Sequence, residues 1–122
     1  MHYRIEAARD HLRAELFGRE TAEHTHEFLR AVSAKTLESG FTRVLILVRN
    51  SRPVFRIEKH RIFEFFKLVA SNTAYRVAML GDSEELRASQ EYIEVLARQQ
   101  SAKVRAFREE TVALEWLRAD SA

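Results

Sequence analysis

The chain has 122 residues, 46% of them apolar and 31% charged, a length and apolar share that fit one globular core. Twenty basic against eighteen acidic residues leave a net charge of +2, so a pI near 9.2 gives no reason to expect a nucleic-acid partner. With no Cys, neither a disulfide framework nor a thiolate metal site is available, and with no twenty-residue apolar run or signal-peptide segment, no transmembrane segment is expected and the chain reads as cytoplasmic.

Three Gly, one Pro, no internal repeat and apolar positions continuing to Trp116 and Leu117 indicate a single domain over residues 1–122, with a loose tail at 119–122. Tyr3 to Ala7 and Leu12 to Leu16 both alternate polar and apolar residues, the pattern of a β-hairpin with one wet face. From Thr21 to about Ser39, Thr25, Phe28, Leu29, Val32 and Leu37 follow helical spacing, with Thr21 as N-cap and Gly40 as C-terminal stop. Val44 to Val48 is apolar without alternation, which predicts a strand covered on both faces at the centre of a sheet. A Phe-rich helix follows, beginning between Phe55 and Lys59 and running to about Ala70, and then a strand from Tyr75 to Leu80 that Gly81 ends. Asp82-Ser83-Glu84-Glu85 has the form of a helix start with an N-cap carboxylate and two acids that complement the helix dipole. The third helix reaches about Gln100, Lys103 to Phe107 forms the last strand, and Glu109 to Arg118 forms a last helix with Val112, Ala113, Trp116 and Leu117 on one face. The order ββαβαβαβα predicts right-handed crossovers, hence a mostly parallel five-stranded sheet with helices packed on it and an antiparallel first strand at or near one edge.

Several strings in this frame resemble the STAS fold of the anti-sigma factor antagonists, in particular its SpoIIAA-like, STAS/SEC14-type branch. They are Val77 to Asp82 at the fourth strand, Val104 to Phe107 with Ala113 to Leu117 at the C-terminal end, and Phe65-Phe66-Lys67 in the second helix. The resemblance spans almost the whole chain, although each string is chiefly a packing signature. It implies a non-enzymatic module of bacterial regulation that binds protein partners, switched in the antagonists by phosphorylation of a Ser in an Asp-Ser-Ser-Gly string at the start of the second helix. Here the matching stretch, Val54 to Lys59, contains no hydroxyl residue. Ser51 lies a few residues upstream and offers a hydroxyl to phosphorylation, with an Asn-Ser-Arg-Pro turn as the plainer explanation.

Two local anomalies nominate a binding surface. Arg49, Arg52, Arg56, Lys59 and Arg61 crowd together with Glu58 as the only acid among them, at the carboxyl end of the expected central strand, where open α/β sheets place their sites. An anion, a phosphorylated head group or an acidic protein surface would suit these donors; a solvated turn and helix face in a chain with sixteen Arg and four Lys is the plainer account. The second anomaly is the Phe-rich helix, where Phe55, Ile62, Phe63, Phe65, Phe66, Leu68 and Val69 project over more than half the circumference. A neighbouring helix, a homodimer contact or an internal apolar pocket would cover the excess. The candidate partner or ligand residues are therefore Arg49, Asn50, Ser51, Arg52, Arg56, Lys59, Phe63, Phe65 and Asp82.

Catalytic signals are weak, and no cofactor is expected. His24 and His26 stand two apart on a helix and point about 200° from each other, wrong for a shared metal, and read as surface residues. His60 has no nameable nucleophile to serve, and Asp82 with Ser83 reads as a cap. The sequence thus predicts an interaction module that binds a protein or itself as a homodimer. The alternative is a carrier or sensor of a small amphipathic anion, which requires an enclosed cavity of at least a few hundred Å3.

Overall fold

The computed structural model describes residues 1–53 and 59–119, with Lys59, His60 and Arg61 described by their backbone alone. The elements are β1 (His2–Ala7), β2 (Leu12–Phe17), α1 (Ala22–Ser39), β3 (Arg43–Arg49), α2 (Lys59–Ala70), β4 (Arg76–Gly81), α3 (Glu84–Gln99), β5 (Val104–Phe107) and α4 (Glu110–Arg118). They form one sheet in the order β1-β2-β3-β4-β5, with β1 antiparallel to β2 at one edge and all other pairs parallel. This is the α/β architecture and element order expected from the hydrophobic pattern.

Each new parallel strand joins the sheet on the same side of its predecessor, so right-handed crossovers carry α1, α2 and α3 to one face. There Phe28, Val32, Ile62, Phe66, Leu86 and Leu96 close over Val44, Ile46, Val48, Val77, Met79 and Val104. The chain leaves β5 at the other edge and returns as α4 across the second face, packing Ala113 and Leu117 on Leu45, Leu47, Ala78 and Leu80. A strand between two apolar layers has no wet side, which is why Val44 to Val48 shows no alternation.

Local signals set the helix ends. The Thr21 hydroxyl accepts from the His24 N–H at 3.2 Å, and Gly40, at φ 78°, donates its N–H to the Thr36 carbonyl at 3.0 Å. Four expectations need correction. In the last turn of α1 the buried residue is Thr36, whose hydroxyl bonds the Val32 carbonyl at 2.7 Å, while Leu37 is 65% exposed, because the stripe through Val32 continues at the fourth residue on and not the fifth. His26 is buried and not a surface residue, since α2 packs beside that face of α1. On α4, Val112 is exposed. The N-cap of α3 is Ser83, whose hydroxyl accepts from the Leu86 N–H at 3.2 Å, and not Asp82. Among the described residues no helix is long and apolar enough to cross a membrane.

Candidate functional site

The parallel strands end together at their carboxyl edge, and the loops leaving them enclose a crevice of about 520 Å3 lined by Gly18, Arg19 and Glu20 after β2, Asn50, Ser51 and Arg52 after β3, and Asp82 and Ser83 after β4. The β2–α1 and β3–α2 loops are fastened to each other across it. The Arg52 N–H donates to the Arg19 carbonyl at 2.8 Å, and the Arg19 Nε and Nη2 donate back to the Arg52 carbonyl at 3.1 and 2.6 Å. Ser51 sits between the loops: its Oγ accepts from the Arg19 N–H and donates to the Arg49 carbonyl, both at 2.9 Å. That use of the hydroxyl matches the turn reading of Ser51.

Asp82 is the link to the third loop. Its Oδ2 accepts from the Asn50 N–H at 3.0 Å, which holds Asn50 at φ 48°, a left-handed conformation that Asn tolerates better than most residues. The carboxylate read as a cap in the sequence is thus a strut across the carboxyl edge, and the cap falls to its neighbour. Arg19, which sequence reasoning missed, is only 4% exposed, and among the described residues no carboxylate lies within ion-pair distance of it. Burial pushes its guanidinium down to about 10, which leaves it charged at neutral pH. No local pattern in Phe17-Gly18-Arg19 announces that a cation will be enclosed, since its partners stand 32 and 33 residues away.

Of the nominated residues, Asn50, Ser51, Arg52 and Asp82 converge on the crevice. Arg49 does not, because alternation along β3 turns it to the α4 face, where its Nε lies 3.8 Å from Glu15 Oε2. Arg56 lies outside the described residues, as do Phe55, Glu58 and the tail beyond Ala119; Lys59 opens α2 but its side chain is not described. Phe65 is a core residue, 8% exposed, and Phe63 is half-buried against the same cluster. The excess apolar surface of α2 is met in large part by α1: Phe65 and Leu68 line a surface groove of about 260 Å3 with Leu29 and Leu37. Between α2 and the sheet the described residues enclose about 40 Å3, bordered by Arg19, Thr25 and Gln90 among apolar side chains. That space suits one or two waters and falls far short of the few hundred Å3 that an amphipathic ligand requires.

The charge of the crevice is mixed. Among the described residues that line it, Arg19 and Arg52 stand beside Glu20 and Asp82. Among the described residues no group of three His, Asp or Glu is placed to hold a metal ion.

No family model matches the chain, and no curated protein sequence matches it. Solved structures do. The protein TM1081, determined by NMR, superposes with a TM-score of 0.62 over 98% of this chain and 91% of its own, at 16% identity. The anti-sigma factor antagonist SpoIIAA in its unphosphorylated form gives 0.56 over 98% of this chain and all of its own, also at 16% identity. The Bacillus cell fate determinant SpoIIAA in its phosphorylated form gives 0.52 over 96% of this chain and all of its own, at 20% identity. The chain therefore has the STAS/SpoIIAA-like fold that its strings resemble, with sequence likeness too low to carry more than the fold.

Proposed function

We propose that the chain is a non-enzymatic, cytoplasmic regulatory module of the STAS type. It binds a protein partner, or a second copy of itself as a homodimer, through the carboxyl edge of the sheet. The Asn50-Ser51-Arg52 turn and Asp82 form the contact, with the adjoining start of α2 beside it. The observation that carries this reading is the fastened crevice itself: loops after three strands are held in place by hydrogen bonds between themselves, so an open, polar surface is organised before anything binds. Among the described residues, two charges of each sign line the crevice, which suits a protein surface with its own mixture of charges. The fold shared with SpoIIAA gives the regulatory reading its background. The absence of a hydroxyl residue from Val54 to Lys59, together with the structural use of the Ser51 hydroxyl, favours a module that binds without the phospho-serine switch of the antagonists.

The test compares the wild type with Arg52→Glu and Asp82→Ala, using Glu91→Lys on the exposed side of α3 as a control. Native mass spectrometry reads self-association, and capture from an extract of the source cells reads partner binding. Loss of the associated protein in the two crevice variants but not in the control is the expected result. If both crevice variants retain everything the wild type retains, the carboxyl edge is not the contact surface.

A further inference from the structure

We propose that the opposite, amino end of the sheet binds a multiply charged, phosphate-bearing anion. The register pairs Arg43 of β3 with Arg76 of β4, and the pairing of Val77 with Val104 brings Lys103, just before β5, level with Arg76. All three face the side covered by α4, as the positions two residues on in β3 and β4, Leu45 and Ala78, pack in the α4 core. Adjacent strands lie about 4.8 Å apart, so the fold sets three cations in one row, and Arg105, level with Ala78, adds a fourth in the next. Like charges facing each other across strands destabilise a sheet. Among the described residues none of these four has a carboxylate within 4.0 Å.

Arg76 is the anchor. It is 8% exposed, its guanidinium lies 5.5 Å from the centre of the Trp116 ring, and its Nη1 donates to the Trp116 carbonyl at 2.6 Å. That bond caps the last turn of α4, yet it engages one nitrogen and neutralises nothing, and a buried cation without a counter-ion is costly. Lys103 spends one of its three N–H donors on the Thr73 carbonyl at 3.1 Å, and Arg105 lies with its guanidinium 5.3 Å from the Phe107 ring centre. Arg76, Lys103, Arg105 and Trp116 line one open pocket of about 410 Å3. The single carboxylate in its wall among the described residues, Glu94, is already engaged: Oε2 accepts from Arg98 at 2.8 Å and Oε1 from the Ala106 N–H at 2.7 Å. What remains, among the described residues, is three cations without a carboxylate partner around a space that accepts a small ligand, and forked guanidinium donors beside an ammonium match the oxygens and charge of a phosphate or diphosphate group. The site lies a strand length, about 20 Å, from the carboxyl-edge crevice, so it stands or falls independently of the function proposed above.

The test titrates the uniformly 15N-labelled protein with sodium pyrophosphate at constant ionic strength and follows the backbone amides. Saturable shifts confined to Arg76–Val77 and Ala102–Ala106 are expected, and the double variant Lys103→Gln, Arg105→Gln, both at exposed positions, should weaken binding at least tenfold with an unchanged spectrum elsewhere. A parallel sedimentation with phosphatidylcholine vesicles, with and without a phosphoinositide, identifies the source of the phosphate. Binding to the phosphoinositide vesicles assigns a lipid headgroup, and binding to pyrophosphate alone assigns a soluble phosphate ester. Absence of saturable shifts at these amides, their relocation to Asn50–Arg52, or equal affinity in the double variant overturns the proposal.

Discussion

Among the described residues, Arg19 and Arg76 are the two arginines that the fold takes out of water, and the guanidinium of each donates to a backbone carbonyl, that of Arg52 for one and that of Trp116 for the other. Neither was legible in the sequence, because burial of a charged residue depends on where chain segments 30 or 40 residues away come to lie. Asp10 illustrates the same dependence at the surface. It lies in the turn between β1 and β2, where Arg118 from the end of α4 reaches it at 2.7 Å and His11 Nδ1 lies at 2.8 Å. The Arg118 hydrogen bond, followed by that of His11, lowers its carboxyl from 3.8 to about 2. A carboxylate whose folded pKa is depressed contributes stability above its unfolded pKa and loses it as pH falls through the folded one. The urea midpoint of the wild type should therefore drop between about pH 4 and pH 2 by more than that of Asp10→Asn, and the gap between the two proteins should close at the acid end of that range. Parallel curves for the two proteins would show that the Asp10–Arg118 contact contributes nothing in solution.

At the scale of elements, helix ends were well read where a cap lies within one turn of its target, as at Thr21 and Gly40. Reading failed where two neighbouring residues could each do the work: Asp82 and Ser83 are both competent caps, and the choice went to Ser83 because Asp82 is drawn to the Asn50 N–H of another loop. The same junction yields a sharp prediction. A Cβ built on Gly81 would stand 2.8 Å from Leu86 Cβ and 3.2 Å from Gln90 Oε1, because α3 presses onto the end of β4 and Gln90 Nε2 donates to the Leu80 carbonyl at 3.0 Å. Gly81→Ala should destabilise by about 1–3 kcal/mol through overpacking, measured by urea unfolding. A variant as stable as the wild type would mean that α3 moves away from β4 freely.

Across the whole molecule, the Phe-rich helix posed the main ambiguity, since its apolar arc allowed a neighbouring helix, a second copy or a ligand as its cover. Ile62, Phe65, Phe66 and Val69 are taken by the core and by α1, which leaves Phe63 and Leu68 half-buried. Two glutamate substitutions separate core from surface. Phe65→Glu places a charge in the apolar core and should abolish cooperative thermal unfolding, whereas Leu37→Glu, on the outer side of α1, should alter stability by no more than about 0.5 kcal/mol. Circular dichroism melts read both, and a normally folded Phe65→Glu would place that ring on a yielding surface.

The order of elements, the doubly covered central strand, the antiparallel edge and both caps of α1 followed from the sequence alone, because they rest on periodicity and on hydrogen bonds that span a few residues. The meeting of Arg19 with Ser51 and Arg52, the turning of Arg49 toward Glu15, and the row of Arg43, Arg76 and Lys103 were decided by the tertiary structure. They depend on strand register and crossover packing, which bring together residues that no local spacing relates.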